Sequence, residues 1–574
     1  MGKPIYIIGT GLSHNGSAVL LKDGRVCVGI EKERLSRIKH DGGNDTLAVQ
    51  YCLDAEGITL EDVSLVVQTA NFEIPDRNKF RGRRLFSKEG GPEIVSISHH
   101  LAHAFSAVGT SPFSECAVMV IDGCGSPLHQ HLKLHPKELH GIDPSFFKKN
   151  EMLCEKDSFY LFSSNKLTPL FKDFSTMGKK VDRHLSMPTT EHSIGGFYAS
   201  VSEYVFGDLD DVGKLMGLAP YGNPDSFSDE AFEFRSGCLF VKQEWKANFT
   251  IPSKGYAYFK EHFSYYADVA RWAQGQVEKA VLECFRLRLD RFPNKNLCFT
   301  GGVALNAVAN AKVKSLVEDS VYFEPAAGDN GLALGCAYYG WISYLKQPKV
   351  THDGSTCFGK KYSEQQIDAA VELERDGSFS TKSFLDDEAL VSYCARLLNS
   401  GKTIAWFQSG SEFGPRSLGR RSILAHPGME GMKDHINNNI KFREDFRPFA
   451  PAVLKECVSD YFEAGQDSPY MILVDKTKPE FASQLANVTH CDGTARVQTV
   501  EDTWNLKFTK LLREFQKHSG VAVLLNTSLN KKGMPMVETP LEAMQLFKET
   551  ALDVLVMENR VVEKRGFREE SALS

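Results

Sequence analysis

The sequence predicts an α/β protein: two related α/β halves in its N-terminal part and a separate α/β unit at its C-terminus. Three observations lead there. Short apolar runs of strand length alternate with helical stretches along the chain. A strand that breaks into a polar, glycine-rich turn occurs at residues 5–16 and recurs in weaker form at 117–125. A charged and polar stretch at 346–385 then separates this part from a new strand-and-helix pattern.

The elements follow in order. Residues 5–9 read as a strand, 11–16 as a turn, 17–21 as a second strand, Asp23-Gly24 as a hairpin turn and 26–30 as a third strand. Strand, glycine loop and returning strand form a hairpin suited to gripping phosphate. Its recurrence at 117–125 suggests two related halves around a cleft, as in the actin and sugar-kinase class. Residues 126–190 have no clear period and read as an insertion or a mobile lid. A helical pattern dominates 265–291, and a strand at 297–300 runs into Gly301-Gly302-Val303-Ala304-Leu305-Asn306. A Gly-Gly turn opening a helix offers its amides to a phosphate or nucleotide, or serves close packing. The domains predicted are therefore 1–345, a linker at 346–385, and 386–574.

Bulk properties exclude several classes. The 574 residues are 42% hydrophobic and 24% charged, as in ordinary globular enzymes. A net charge of -6 and a pI near 6.3 argue against a nucleic-acid binder. No apolar run approaches the roughly 20 residues that span a bilayer. The N-terminus enters a strand at once, without the layout of a signal peptide. Thirteen scattered cysteines without a CxxC pair suggest reduced thiols, and so a cytoplasmic protein.

Two segments carry chemistry. The first is His99-His100-Leu101-Ala102-His103, which follows the apolar run 94–97 and leads into a helix. His99 and His103, four apart, project from one helical face, where two imidazoles grip one metal ion. Asp122 ends the apolar strand 116–121, and Asp329 lies in a Gly-Asp-Asn-Gly turn. Two histidines with carboxylates and open positions suit Fe(II) or another divalent ion better than a closed zinc site. Helical histidines also serve packing, and His100 reads as structural. The second segment places Arg416, Arg420, Arg421, Lys441, Arg443 and Arg447 within 32 residues of an acidic protein. Interleaved Gly and Pro exclude a plain solvated helix face, and arginine forks match phosphate oxygens in pairs. Arg496, in a turn leading into a strand, and the strand end Asn526-Thr527-Ser528 fit the same pocket.

These strings together resemble the O-carbamoyltransferases of the NodU and tobramycin carbamoyltransferase family. The match runs through residues 31–40 (EKERLSRIKH), 98–104 (SHHLAHA), 214–222 (KLMGLAPYG), 301–306 (GGVALN), 328–331 (GDNG), 413–424 (FGPRSLGRRSIL) and 441–451 (KFREDFRPFAP). The resemblance implies an actin/hexokinase-like, TsaD-like N-terminal domain and a YrdC-like C-terminal domain. It implies that carbamoyl phosphate and ATP, the latter with Mg2+, give carbamoyl adenylate, and that the carbamoyl group then passes to an alcohol. By position it makes His99, His103, Asp122 and Asp329 the metal ligands, with Fe(II) the usual ion. Arg416, Lys441, Arg447, Arg496, Asn526 and Ser528 fall in the carbamoyl phosphate and ATP pocket. Gly301, Gly302 and Asn306 fall where the adenylate is held. His14 and Asp211 fall near the reacting hydroxyl, with Asp210 an alternative to Asp211, and Lys39 falls on the acceptor side. The acceptor expected is a hydroxylated antibiotic, toxin or sugar-like molecule. A thiol acceptor, or a non-catalytic nucleotide-binding protein of the actin class, are the alternatives, and homodimerisation is left open. The chain departs from the family's pattern after Gly125 and at Cys491.

Overall fold

The computed structural model describes residues 3–69, 85, 91–139, 153–176, 193–317 and 320–565. The chain divides into two compact units: residues 1–32 with 40–354, and residues 33–39 with 355–574.

The first unit contains two five-stranded sheets of one design. In the first, β1 (Tyr6–Gly11), β2 (Ser17–Lys22) and β3 (Arg25–Glu31) form an antiparallel meander. β4 (Val63–Thr69) and β5 (Glu93–Ser96) extend it in parallel from β1, giving the order β3-β2-β1-β4-β5. In the second, β6 (Cys116–Ile121), β7 (Leu153–Ser163) and β8 (Lys166–Thr176) form the meander. A small hairpin of β9 (Phe232–Arg235) and β10 (Cys238–Val241) precedes β11 (Asn296–Thr300) and β12 (Ser320–Phe323), which extend the second sheet in parallel from β6. Its order, β8-β7-β6-β11-β12, repeats that of the first sheet strand for strand. This is the duplicated actin/hexokinase-like fold. β1 and β6 are buried along their whole length and hold the central place in each sheet. Their apolar runs fit strands covered on both faces.

The stretch 126–190 is therefore not simply an insertion or lid. It contains β7 and β8, an integral hairpin of the second sheet; residues 140–152 and 177–192 lie outside the described residues. β7 carries Glu155, Asp157 and Ser158 in buried positions. These polar residues broke the apolar alternation by which strands are read from sequence.

The second unit has one nine-stranded mixed sheet. It comprises β13 (Phe379–Ser383), β14 (Ile404–Phe407), β15 (Arg421–Ala425), β16 (Ala450–Leu454), β17 (Leu473–Lys476), β18 (Thr494–Val500), β19 (Val523–Ser528), β20 (Val554–Met557) and β21 (Arg560–Lys564). Their order is β13-β21-β20-β14-β15-β19-β16-β18-β17. The helix Asp387–Asn399 opens at Asp386, whose side chain accepts the Ala389 N–H at 2.8 Å. It buries Leu390, Val391, Cys394, Leu397 and Leu398, a helical stripe against the core. Residues 355–385 are not a linker. They carry the helix Glu364–Leu373 and the edge strand β13, and the unit boundary falls at Gly354. β13 is exposed at nearly every position, so its sequence reads as connecting chain.

Candidate functional site

In the first unit, four ligand-type side chains converge. The helix His99–Thr110 carries His99 and His103 on one face, with their Nε2 atoms 3.1 Å apart. Asp122 follows the end of β6, and its Oδ2 lies 3.1 Å from His99 Nε2. Asp329 opens a short turn of helix, with Oδ1 3.4 Å from His99 Nε2 and 3.7 Å from His103 Nε2. All four are buried, and their ligand atoms lie within 4.8 Å of one another. Donors bonded to one ion at roughly 2.0–2.2 Å are separated by about 3 Å when adjacent, so the donor set fits a single divalent ion. Its imidazole and carboxylate chemistry suits Fe(II), Mn(II) or Zn(II) alike.

The electrostatics point the same way. Burial opposes a charge on His99, but Asp329 and Asp122 outweigh it and lift its pKa to about 10. Asp329 is held well below the usual carboxylate range, against its own burial, by His99 and His14. Two buried carboxylates thus favour positive charge at this point, which protonated histidines supply here and a divalent ion would supply if bound.

The backbone around Asp122 explains the Gly-Gly turn. Gly302 N–H donates to Asp122 Oδ1 at 2.9 Å, and Gly301 takes a φ of 90°. A Cβ on Gly301 would stand 2.4 Å from the Ile121 carbonyl oxygen. These glycines hold the Asp122 carboxylate in place. Asn306 is occupied as well: its Oδ1 caps the helix Ala307–Leu316 through Ala309 N–H, and its Nδ2 donates to Gln274.

His14, in the turn after β1, faces the same group, with Nδ1 3.2 Å from Asp329 Oδ2. Burial again opposes its charge, and Asp329, Asp210 and Asp122 raise its pKa to about 9. Asp211 instead takes Lys214 Nζ at 2.5 Å. Of the two adjacent aspartates, Asp210 is the one whose field reaches His14.

Sequence reasoning missed a polar layer behind the metal-facing helix. Ser126 Oγ accepts the His99 N–H at 2.9 Å, and Glu155 Oε2 accepts the Ser126 N–H at 3.0 Å and the His100 N–H at 3.4 Å. Of the first-turn amides that a helix leaves unpaired, that of His99 is thereby met by a hydroxyl and that of His100 by a buried carboxylate. Glu155 also pairs with Lys172, and its Oε1 lies 2.9 Å from His131 Nε2. His131, Glu138 and Glu155 form a second group of ligand-type atoms, but Lys172 already supplies positive charge there. The available signal was the spacing of His131 and His135, four apart like His99 and His103. His100, as expected, is structural: its Nδ1 meets Ser158 Oγ at 2.8 Å.

In the second unit, Arg416, Lys441, Arg443, Arg447 and Arg496 crowd together. Burial lowers the pKa of each of Lys441, Arg443 and Arg496, and neighbouring cations lower it further. Burial and Arg447 bring Arg416 down to about 10. Arg416 Nε and Arg496 Nε are buried without a hydrogen-bond partner. Glu444, 3.6 Å from Arg447, also takes Lys532 at 2.6 Å. Cations gathered with so little counter-charge make this cluster a candidate anion site. Lys441 Nζ is aimed by Ser528 O at 2.6 Å, Ser528 Oγ at 3.1 Å and Asn530 Oδ1 at 2.5 Å.

Other residues of the arginine-rich stretch are structural. Arg421 donates to the carbonyls of Gln408 and Ser409 and stacks on Phe407, and Arg420 donates to Trp504 O. Asn526 is 1% exposed and spends its amide on Ser417 O and Gln498 Oε1. The segment 33–39 belongs to this unit through Arg34, which donates to Glu412 O and Gly414 O, and Arg37, which donates to Met536 O. It places Lys39 where its charge depresses Lys441.

Comparison with known proteins decides the family. The model described as Carbamoyltransferase N-terminus matches residues 6–82 and 77–338, and that described as Carbamoyltransferase C-terminus matches 395–564. The chain belongs to the carbamoyltransferase family. It is 30% identical to an uncharacterised protein of Synechocystis, covering 96% of this chain and 95% of that protein. It is 31% identical to the nodulation protein NolNO of Sinorhizobium fredii, over 96% of this chain and 79% of the relative. It is 27% identical to nodulation protein U of the same species, over 92% and 94%. Among solved structures, full-length HypF in its phosphate- and nucleotide-bound form aligns over 58% of this chain and 55% of its own, with 12% identity and a TM-score of 0.34. Strand order, not that score, identifies the duplicated fold. This carbamoyltransferase has no helix among its described residues long and apolar enough to cross a membrane.

Proposed function

We propose that this carbamoyltransferase makes carbamoyl adenylate in its second unit and transfers the carbamoyl group to a hydroxyl in its first. In the first step carbamoyl phosphate, one water and ATP, the last with Mg2+, yield carbamoyl adenylate, pyrophosphate and phosphate: water takes the phosphoryl group of carbamoyl phosphate as phosphate, and the carbamate oxygen displaces pyrophosphate from the α-phosphorus of ATP. The observation that carries this reading is the cluster of Arg416, Lys441, Arg443, Arg447 and Arg496, with two buried guanidinium nitrogens lacking partners. Such pre-placed cations neutralise charge that accumulates as phosphoryl groups meet, without reorganising during reaction. The second unit is in this reading the YrdC-like half of the enzyme.

In the second step His99, His103, Asp122 and Asp329 hold the metal, proposed to be Fe(II). When bound it supplies Lewis-acid polarisation of the carbamoyl carbonyl. Gly302 orients Asp122, and the turn of Gly301 and Gly302 keeps the adenylate's approach free of side chains. Asp210 is assigned to receive the acceptor's proton, since Asp211 is committed to Lys214, and His14, which Asp329 and Asp210 keep protonated, donates to and orients the acceptor. The acceptor is a small hydroxylated natural product, such as an antibiotic, a toxin or a sugar-like molecule, and the enzyme works in the cytoplasm.

Pyrophosphate release from ATP tests the first step. It is expected to require carbamoyl phosphate and to persist without acceptor, and its absence would overturn the mechanism. A screen of hydroxylated compounds for the mass of one added carbamoyl group then tests the second.

A further inference from the structure

Phe442 stands between two members of the cation cluster, Lys441 and Arg443, yet it is half exposed. Its backbone is left-handed, with φ 51° and ψ 52°. For a bulky residue this is an outlier that persists only where its surroundings enforce it. They do so here: Lys441 O accepts the Lys532 N–H at 2.9 Å, and Arg443 N–H donates to Asn437 O at 3.1 Å. The turn is fixed on both sides, and the aromatic ring is left facing water.

A polyanion alone needs only the cations. A nucleotide also presents a flat, weakly hydrated base, which an exposed ring beside a phosphate cradle is suited to receive. We propose that Phe442 is the stacking face for the base of a nucleoside triphosphate whose phosphates occupy the cluster. The inference rests on the proposed adenylate-forming role of this unit and adds how the base is held. Stacking of a base on an aromatic side chain contributes enough to change affinity by about tenfold or more.

The test is equilibrium binding to the full-length protein of two probes, ATP and inorganic tripolyphosphate, which has no base. Wild type is expected to bind ATP more tightly than tripolyphosphate. Phe442→Ala should weaken ATP about tenfold and leave tripolyphosphate within twofold. Phe442→Trp should keep ATP affinity, and Phe442→Leu, which retains bulk without a ring, should lose most of what Phe442→Ala loses. Thermal unfolding of each variant checks that the fold is intact. Equal ATP affinity in wild type and both ring-deleted variants would overturn the base-stacking inference and leave the anion site standing. Failure of wild type to bind either probe would overturn the anion site itself, and the inference with it.

Discussion

Replacing Arg496 by methionine should make the protein more stable and less active at once. Arg496 lies on β18 with Nε buried and unpartnered, and its Nη2 meets only the sulfur of Met471, at 3.7 Å. Arg416, Arg443 and Arg447 all disfavour its charge. Folding therefore gathers like charges that gain nothing until an anion arrives. Exchanging buried charge for apolar volume stabilises by roughly 1–4 kcal/mol in favourable cases. About 1–2 kcal/mol is expected here because Arg496 is only partly buried. For a unit of this size that corresponds to a Tm rise of about 2–8 °C. A hydrogen bond to a charged group contributes about 1.5–3 kcal/mol, so carbamoyl phosphate-dependent pyrophosphate release should fall about 10- to 150-fold in kcat/KM. Calorimetry and a coupled pyrophosphate assay read the two effects. A lower Tm with unchanged pyrophosphate release would refute the reasoning, because Arg496 would then be a structural arginine like Arg421.

Three further outcomes follow from the first unit. His103→Ala removes one of four converging donors and should cost well over the 10–100-fold in metal affinity lost with an outer-shell partner. Titration with Fe(II) or Zn(II) reads it, and pyrophosphate release should survive; loss of both would contradict separate sites. Glu155→Gln should lower metal affinity about 10- to 100-fold and destabilise by up to about 3 kcal/mol, because the buried Lys172 is left with only the more distant Glu138, 3.6 Å away, as counter-charge. The double variant Glu155→Gln/Lys172→Met should regain stability but not metal affinity, and recovery of both would show that Glu155 acts only as an ion-pair member. Glu324 is fully buried, and burial pushes its carboxyl from 4.5 up to about 8, although Ala326 N–H and Ser106 favour the charged form. Between those values the native state holds a proton that the unfolded chain has lost, so stability falls as pH rises through this window, by at most about 1.4 kcal/mol per unit. Urea denaturation from pH 5 to 9 should show this slope in wild type and a flatter one in Glu324→Gln; an identical slope in both would exclude Glu324 as its source.

How much of this was legible in the sequence depended on whether a signal was local. The pair His99 and His103 lies on one helix, and helical spacing alone brings the imidazoles together. Strands β1 and β6 announced themselves because both are continuously apolar and both end in polar, glycine-bearing turns. The repeat they hinted at is a property of strand order, which needs β7 and β8. Those strands hid because their inward positions are occupied by Glu155, Asp157, Lys172 and Asp173, paired with one another or with other buried partners. A buried ion network has no hydrophobic period to read.

The arginine-rich stretch shows the complementary limit. Composition gathers Arg416, Arg420, Arg421, Lys441, Arg443 and Arg447 into one phosphate-binding cluster, but charge type says nothing about where a guanidinium points. Arg420 and Arg421 turn their terminal nitrogens to backbone carbonyls, although the Nε of each is buried without a partner. Arg416 and Arg496 have nitrogens that no protein group satisfies. What separates the two sets is where the terminal nitrogens go: to backbone carbonyls in Arg420 and Arg421, and to the sulfur of Met471 in Arg496. A buried donor without a partner destabilises unless something else meets it, so the proposed anion site is drawn at arginines whose terminal nitrogens are not spent on backbone carbonyls, and not simply at the most closely spaced ones.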